Sequence, residues 1–123
     1  FNNIIKELYR ICKNNALINI HVPHPRHDDF ITDPTHVRPV TVAMLELYSK
    51  ANNEVWAIMR AANSPLGLIH NVNFEVVSSN LVVDERIRKK IETGEIKRDE
   101  LQFYIDHHNN IVKQIDIKWR VIK

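Results

Sequence analysis

The stretch HVPHPRHDD, residues 21–29, brings three histidines, an arginine and two aspartates close together. Histidine and aspartate ligate transition metals, histidine also exchanges protons near neutral pH, and arginine binds phosphate. Its two prolines exclude a continuous helix, so the histidines do not stack along a helical face. In an extended polyproline II segment, which rises about 3.1 Å per residue, His21 and His27 would lie roughly 19 Å apart. We therefore do not expect all three histidines of this stretch to bind one ion.

Two turns bring some of these side chains together. HPRH (24–27) and DPTH (33–36) each carry proline in the second position, its favoured place in type I and II turns. Such a turn brings its first and fourth Cα atoms within about 7 Å. We expect the two turns to gather a cluster of six polar side chains, namely His24, His27, His36, Asp28, Asp29 and Asp33.

The cluster allows three interpretations. In the first, His24, His27 and Asp28 bind a divalent metal such as zinc, although their spacing matches no established signature. In the second, the cluster's three histidines are catalytic: one takes a proton from a ribose 2′-hydroxyl and another protonates the leaving oxygen. Arg26 and Arg38 would then hold the phosphate. In the third, the loop is a solvated polar connection without chemistry or cofactor.

A basic run follows Asp84 and is a second candidate site for an anionic partner. Basic side chains on one helix can engage phosphates without reading sequence. No aromatic residue is interleaved with the run, so it does not indicate a stacking surface for single strands. The simpler alternative is an ordinary solvated helix face. The phosphate-binding candidates of this run are Arg86, Arg88, Lys89 and Lys90.

The composition excludes several classes of protein. The net charge of +2 is lower than in most dedicated nucleic-acid modules. With only two glycines, the chain has no glycine-rich loop to cradle the phosphates of a nucleotide. The single cysteine, Cys12, cannot form an internal disulfide, which fits a soluble protein of a reducing compartment. No apolar run reaches the roughly 20 residues that cross a membrane, so we expect no membrane partner.

The first half of the chain predicts three elements. A helix over 2–15 has a buried apolar stripe, and a strand over 17–22 follows it. The segment from His21 to Pro39 contains four prolines and no periodicity, which predicts a long loop. A long central helix then begins at Thr41 and is stopped by Asn63-Ser64-Pro65.

The second half predicts strands and one short helix. Alternation over 68–77 indicates a strand with His70 on its apolar face, from where His70 could join the cluster. A turn at 78–80 and a short extension over 81–83 lead to the basic helix, capped by Asp84 and ended by Gly94. For 101–121 a hairpin is favoured over a helix.

This order predicts an α+β fold, with an antiparallel sheet of about four strands packed against the long central helix. The N-terminal helix and the short basic helix complete it. We expect residues 1–123 to be a single domain, trimmed or excised from a longer chain because it begins with Phe1. The first functional hypothesis is a small nuclease-like domain that cleaves RNA. The alternative is a non-catalytic protein-interaction domain whose long His/Pro loop or sheet edge binds a protein partner.

Overall fold

The computed structural model describes the whole chain, residues 1–123. Its elements confirm the α+β class. The helices are α1 (Asn2–Ile11), α2 (Asp28–Ile31), α3 (Val42–Glu46), α4 (Lys50–Ile58), α5 (Leu66–Ile69), α6 (Glu85–Glu92) and α7 (Leu101–His107), the last preceded by a 3₁₀ turn (Arg98–Glu100). The strands are β1 (Leu17–Pro23), β2 (Phe74–Val83) and β3 (Val112–Val121). No helix is both long and apolar enough to span a bilayer.

The three strands form one antiparallel sheet in the order β1-β3-β2. β3 lies in the middle, and its sequence alternates as a half-buried strand requires. Ile115, Ile117, Trp119 and Val121 are buried, whereas Lys118 on the opposite face is exposed. β1 and β2 are the edge strands, and each pairs with β3 along one side only.

The chain divides into two compact units, and every strand contributes residues to both. The first unit is built from an aromatic core: the indole of Trp119 stacks on Phe74 with ring centroids 3.8 Å apart. The rings of Tyr48 and Tyr9 meet Trp119 and Phe74 edge-on at 6.1 and 5.4 Å. The first unit comprises residues 1–20, 42–79 and 117–123, and the second comprises residues 21–41 and 80–116.

The predicted long central helix is wrong, because the chain breaks into α3 and α4. The hydroxyl of Ser49 accepts the N–H of Asn52, which is the N-cap that starts α4. Asn53 is fully buried, donates to the carbonyl of Leu47 and accepts the N–H of Leu68. A buried amide must satisfy its hydrogen bonds, so these contacts of Asn53 stabilise the point where α3 ends and α4 begins.

The sheet has three strands rather than about four. Residues 68–73 lie in α5 and the turn after it, and β2 begins only at Phe74. β2 then continues through Ser78-Ser79-Asn80, where the sequence predicts a turn. Turn propensity of serine and asparagine is a local preference, and pairing with β3 overrides it.

The predicted hairpin over 101–121 is half wrong. Its second arm is β3, but its first arm is the helix α7. Side chains four residues apart contact along α7: Gln102 donates to Asp106 at 2.8 Å, and Phe103 stacks on His107 at 4.3 Å. Such i, i+4 pairs favour the helix over the extended arm.

The remaining local predictions are confirmed in part. α1 begins at Asn2 as predicted but ends at Ile11, and the predicted buried stripe is wrong for Ile4 and Ile11, which are exposed because the helix turns Ile5 toward the core. β1 lies where its pattern places it, although it extends to Pro23 and so includes His21. The side chain of Asp84 caps α6, and Gly94 follows its end with φ of 77°. The predicted loop 21–39 contains the short helix α2.

Candidate functional site

Both predicted proline turns are present in the second unit. The N–H of His27 donates to the carbonyl of His24 at 3.0 Å, which closes the HPRH turn. The N–H of His36 donates in the same way to the carbonyl of Asp33 at 3.0 Å. The backbone geometry inferred from the prolines is therefore confirmed.

His27 is buried and both of its ring nitrogens have partners. Nδ1 accepts the backbone N–H of Asp29 at 3.1 Å, which makes His27 the N-cap of α2. Because Nδ1 accepts, we assign the proton to Nε2, which donates to Oδ2 of Asp84 at 3.0 Å. Only 4% of His27 is exposed, so its ring is not available to a substrate.

Asp84 is the centre of this buried network. Its Oδ1 accepts the backbone N–H of Arg86 at 2.8 Å, which caps α6, and Nε of Arg86 at 3.0 Å. The hydrogen bond from the Arg86 side chain is the largest cause that holds the pKa of Asp84 well below its usual range. Burial acts in the opposite direction, and the hydrogen bond from His27 adds to the lowering.

His24 is half-buried and is positioned by its own turn. Its Nδ1 accepts the backbone N–H of Arg26 at 3.2 Å. Burial is the first cause that lowers the pKa of His24, followed by the charge of Arg26. A lowered pKa favours the neutral ring near pH 7.

His36 belongs to a separate set of contacts. Its ring stacks on Phe30 with centroids 5.7 Å apart, and its Nδ1 donates to the carbonyls of Asp29 and Phe30 at 3.1 and 3.3 Å. Nε2 lies 3.8 Å from Oδ2 of Asp33. The partners of this imidazole are therefore the backbone of α2 and its own turn.

The residues proposed as metal ligands do not form a metal-binding group. No set of three or more histidine, cysteine, aspartate or glutamate side chains in the chain could hold a metal ion. Asp28, the proposed third ligand, is exposed, and its backbone N–H donates to the side-chain oxygen of Asn110 at 2.8 Å. The metal hypothesis therefore gains no support from the geometry.

Arg26 binds the end of α7. Its guanidinium donates to the carbonyl of Asp106 at 3.0 Å and to the carbonyl of Ile105. Carbonyls in the last turn of a helix lack helical partners, and a cation there also interacts favourably with the helix dipole. Arg26 therefore has a structural partner, while Arg38, the other predicted phosphate ligand of the loop, is exposed.

Every basic side chain of the predicted phosphate face on α6 has an acidic neighbour. Arg86 pairs with Asp84, and Arg88 pairs with Glu85 at 2.6 Å. The other pairs are Arg88 with Glu92, Lys89 with Glu85 and Lys90 with Glu95. Four basic and four acidic residues lie between positions 84 and 95, so this face has no net charge.

The other two histidines considered as ligands have simpler surroundings. His21 lies on β1 and its Nδ1 donates to Oδ1 of Asp116 on β3 at 2.7 Å, an exposed cross-strand pair. His70 caps the C-terminus of α5 and stacks on Tyr48 at 6.4 Å. The prediction that His70 lies on a strand is therefore wrong.

The edge of β2 is a candidate site that the sequence does not predict. Residues 76–83, VVSSNLVV, contain neither a charged side chain nor a proline. Val77 and Leu81 are exposed on the face they share with Ser79. The absence of charges is visible in the sequence. The sequence nevertheless predicts a turn at 78–80, so it does not predict one continuous edge strand there.

Searches against protein-family models, curated proteins and solved structures found no match to this chain. The function must be inferred from its own residues.

Proposed function

We propose that this domain is a protein-interaction module whose β2 edge binds an extended segment of a partner protein. The observation that carries the proposal is the run 76–83 at the edge of the sheet, which has no charge and no proline. Folded proteins usually protect edge strands with lysine, proline or a bulge, because an open edge pairs with other strands. Strand-addition modules use such an edge to bind peptides through the backbone.

The side chains of β2 indicate the chemistry of the partner. Val77 and Leu81 would each face an apolar side chain, and Ser79 between them would face a small one. Glu75, the charged residue at the start of β2, already has Arg120 as partner at 3.2 Å. We therefore expect an uncharged segment in which β-branched residues alternate with small or polar ones.

Two facts favour this function over the nuclease-like alternative, which stays a prediction. Both ring nitrogens of His27 are engaged in buried hydrogen bonds, so an acid–base pair with His24 lacks one member. The basic side chains of α6 face carboxylates, which leaves no net positive surface there for RNA.

Peptide selection followed by titration tests the proposal. Short random peptides displayed on phage would be selected on the wild-type domain after subtraction on a Val77→Lys, Leu81→Lys variant. A selected peptide should bind the wild type about tenfold or more tightly than the variant, because two cross-strand pairs are lost. Its amide shifts in NMR spectra should concentrate on residues 74–83.

The control is a Val37→Lys, Ile58→Lys variant, which places the same two charges at exposed apolar positions outside β2. Peptide affinity should be unchanged in it. Peptides that bind the edge variant and the wild type equally would refute the β2 site.

A further inference from the structure

The helix α1 buries only part of its apolar surface. Ile5, in the first unit, is 4% exposed, whereas Ile4 and Ile11 are 62% and 58% exposed. At 3.6 residues per turn, Ile4, Leu8 and Ile11 lie one above the other on one stripe. Surface helices normally turn such a stripe toward the core, so this stripe lacks the usual cover.

The stripe forms a shallow apolar groove of about 310 Å³. All five residues that line it belong to α1 itself: Asn3, Ile4, Glu7, Leu8 and Ile11. A groove made by a single helix fits the ridge of another helix, which is how helices pack side by side.

We propose that α1 pairs antiparallel with α1 of a second copy of this chain, about a two-fold axis near Leu8. The spacing of the stripe is self-complementary. Along the helix axis Ile4 lies about 6 Å on one side of Leu8 and Ile11 about 4.5 Å on the other, at 1.5 Å per residue. An antiparallel partner therefore brings each Ile4 opposite the second copy's Ile11, and Leu8 opposite Leu8, as a two-fold interface requires.

The charges beside the stripe complement each other in the same arrangement. Glu7 borders the stripe, and Arg10 lies about 60° further round the same side of α1. Both are exposed, and they form an ion pair within the helix at 2.6 Å. The two-fold axis places the flanks of both copies on the same side. Along the helix axis Glu7 of each copy then lies within about 1.5 Å of Arg10 of the other, and the long arginine side chain reaches round the helix toward it. A parallel pairing would not bring these opposite charges together.

The interface is small, which sets the expected strength. Pairing of two ten-residue helices buries on the order of 600 Å² in total, well below the 1,200 Å² or more of stable complexes. We therefore expect a weak, concentration-dependent dimer. This inference does not depend on the proposed β2 site, and peptide binding at β2 can fail without affecting it.

Sedimentation equilibrium from about 10 µM to about 1 mM tests the proposal, since mass action makes dimerisation visible only at high concentration. The wild type should rise in mean mass over this range. Ile4→Glu and Ile11→Glu should each weaken the dimer about tenfold or more, whereas Ile58→Glu, the same change on exposed α4, should not. A wild type that stays monomeric, or equal losses in all three variants, would overturn the proposal.

A charge exchange tests the antiparallel arrangement. Glu7→Arg gives α1 two positive side chains on the flank, and Arg10→Glu gives it two negative ones. Each variant alone should dimerise more weakly than the wild type, and an equal mixture should form the heterodimer at low salt. Circular dichroism would verify that each variant is folded. A mixture no more associated than either variant alone would refute the pairing of Glu7 with Arg10.

Discussion

His27 and Asp84 form a buried pair across 57 residues of sequence, with Nε2 of the imidazole 3.0 Å from Oδ2 of the carboxylate. Only 4% of His27 and 6% of Asp84 are exposed. The pair joins the N-cap of α2 to the N-cap of α6, so each side chain both begins a helix and satisfies the other. The contact resembles a catalytic dyad in its atoms, but its burial makes it a structural one.

Replacement of His27 by alanine should destabilise the second unit. The change removes the cap of α2 and leaves the Asp84 carboxylate without one of its buried donors. Loss of buried hydrogen bonds to a charged group, together with the cap, predicts a fall of about 2–3 kcal/mol in the free energy of unfolding. His21→Ala is the control, because its exposed pair with Asp116 should contribute less than about 1 kcal/mol. Equal effects in urea unfolding would contradict the structural role.

Asp84 should make stability depend on pH in the acid range. The Arg86 side chain, with His27, holds the pKa of Asp84 well below its usual range in the folded protein. A carboxyl whose pKa is lowered by folding stabilises the protein above the unfolded pKa of about 3.9. That contribution is lost as the pH falls through the lower, folded value.

Urea unfolding of the wild type and of Asp84→Asn from pH 7 to about pH 2.5 measures this contribution. The stability difference between the two proteins should be constant above about pH 5 and should shrink below about pH 4. Other carboxylates, such as Asp33 and Asp116, also have lowered pKa values, but they titrate in both proteins and cancel in the difference. A difference that does not change with pH would show that the charge of Asp84 is not stabilising.

Local chemistry in the sequence predicts the parts of the fold that neighbouring residues determine. Pro25 and Pro34 predict both turns, Asp84 predicts the start of α6, and alternation predicts β3. Each of these signals acts within about four residues of the chain. The hydrophobic pattern is also local, which is why α1 is predicted correctly as a helix.

Contacts between distant residues account for the errors. Asn53 holds the chain at the break between α3 and α4 through its hydrogen bonds with Leu47 and with Leu68, the latter fifteen residues away. Pairing with β3 makes residues 78–80, a predicted turn, part of β2. The candidate site shows the same limit, because the composition of HVPHPRHDD suggests chemistry that depends on which partners each side chain finds. His27 binds Asp84, and Arg26 binds the end of α7. Neither partner can be identified from the spacing of residues within HVPHPRHDD.

Because the face of α6 is neutral, we expect its affinity for RNA to rise when its carboxylates are removed. Removal of the carboxylates by Glu85→Gln, Glu92→Gln and Glu95→Gln should leave three basic side chains unopposed, whereas Arg86 keeps its pair with Asp84. The three are Arg88, Lys89 and Lys90. RNA affinity should then rise above that of the wild type, with a salt dependence steeper by about 2 in the log–log slope, since each phosphate contact on a single strand adds about 0.7. Filter binding at several salt concentrations measures both quantities.

The same RNA samples test the nuclease hypothesis. Wild type and a His24→Ala, His36→Ala variant should leave mixed RNA equally intact, with or without a chelator. Cleavage by the wild type that is lost in this variant would contradict the binding function and restore the acid–base interpretation. Cleavage lost with the chelator alone would instead restore the metal interpretation.

Gly67 should not tolerate a side chain, because the first unit closes tightly around it. A Cβ atom there would lie 2.9 Å from both the Asn53 side-chain oxygen and the Tyr48 carbonyl oxygen. The Gly67 N–H donates to the carbonyl of Leu47, so the backbone cannot retreat without losing that bond. Gly67→Ala should lower the free energy of unfolding by about 1–3 kcal/mol, as overpacking in cores does.

Gly94 differs from Gly67 in the reason it requires glycine: at Gly94 it is the backbone conformation, and at Gly67 it is steric crowding. A Cβ at Gly94 meets nothing within 4 Å, but φ there is 77°, which disfavours residues other than glycine and asparagine. Gly94→Asn should therefore retain more stability than Gly94→Ala, whereas Gly67→Asn should be worse than Gly67→Ala because it is larger. Thermal unfolding of the four variants gives the order. If Gly67→Ala were as stable as the wild type, the close approach of α5 to the Asn53 side chain and the Tyr48 carbonyl would be incorrect.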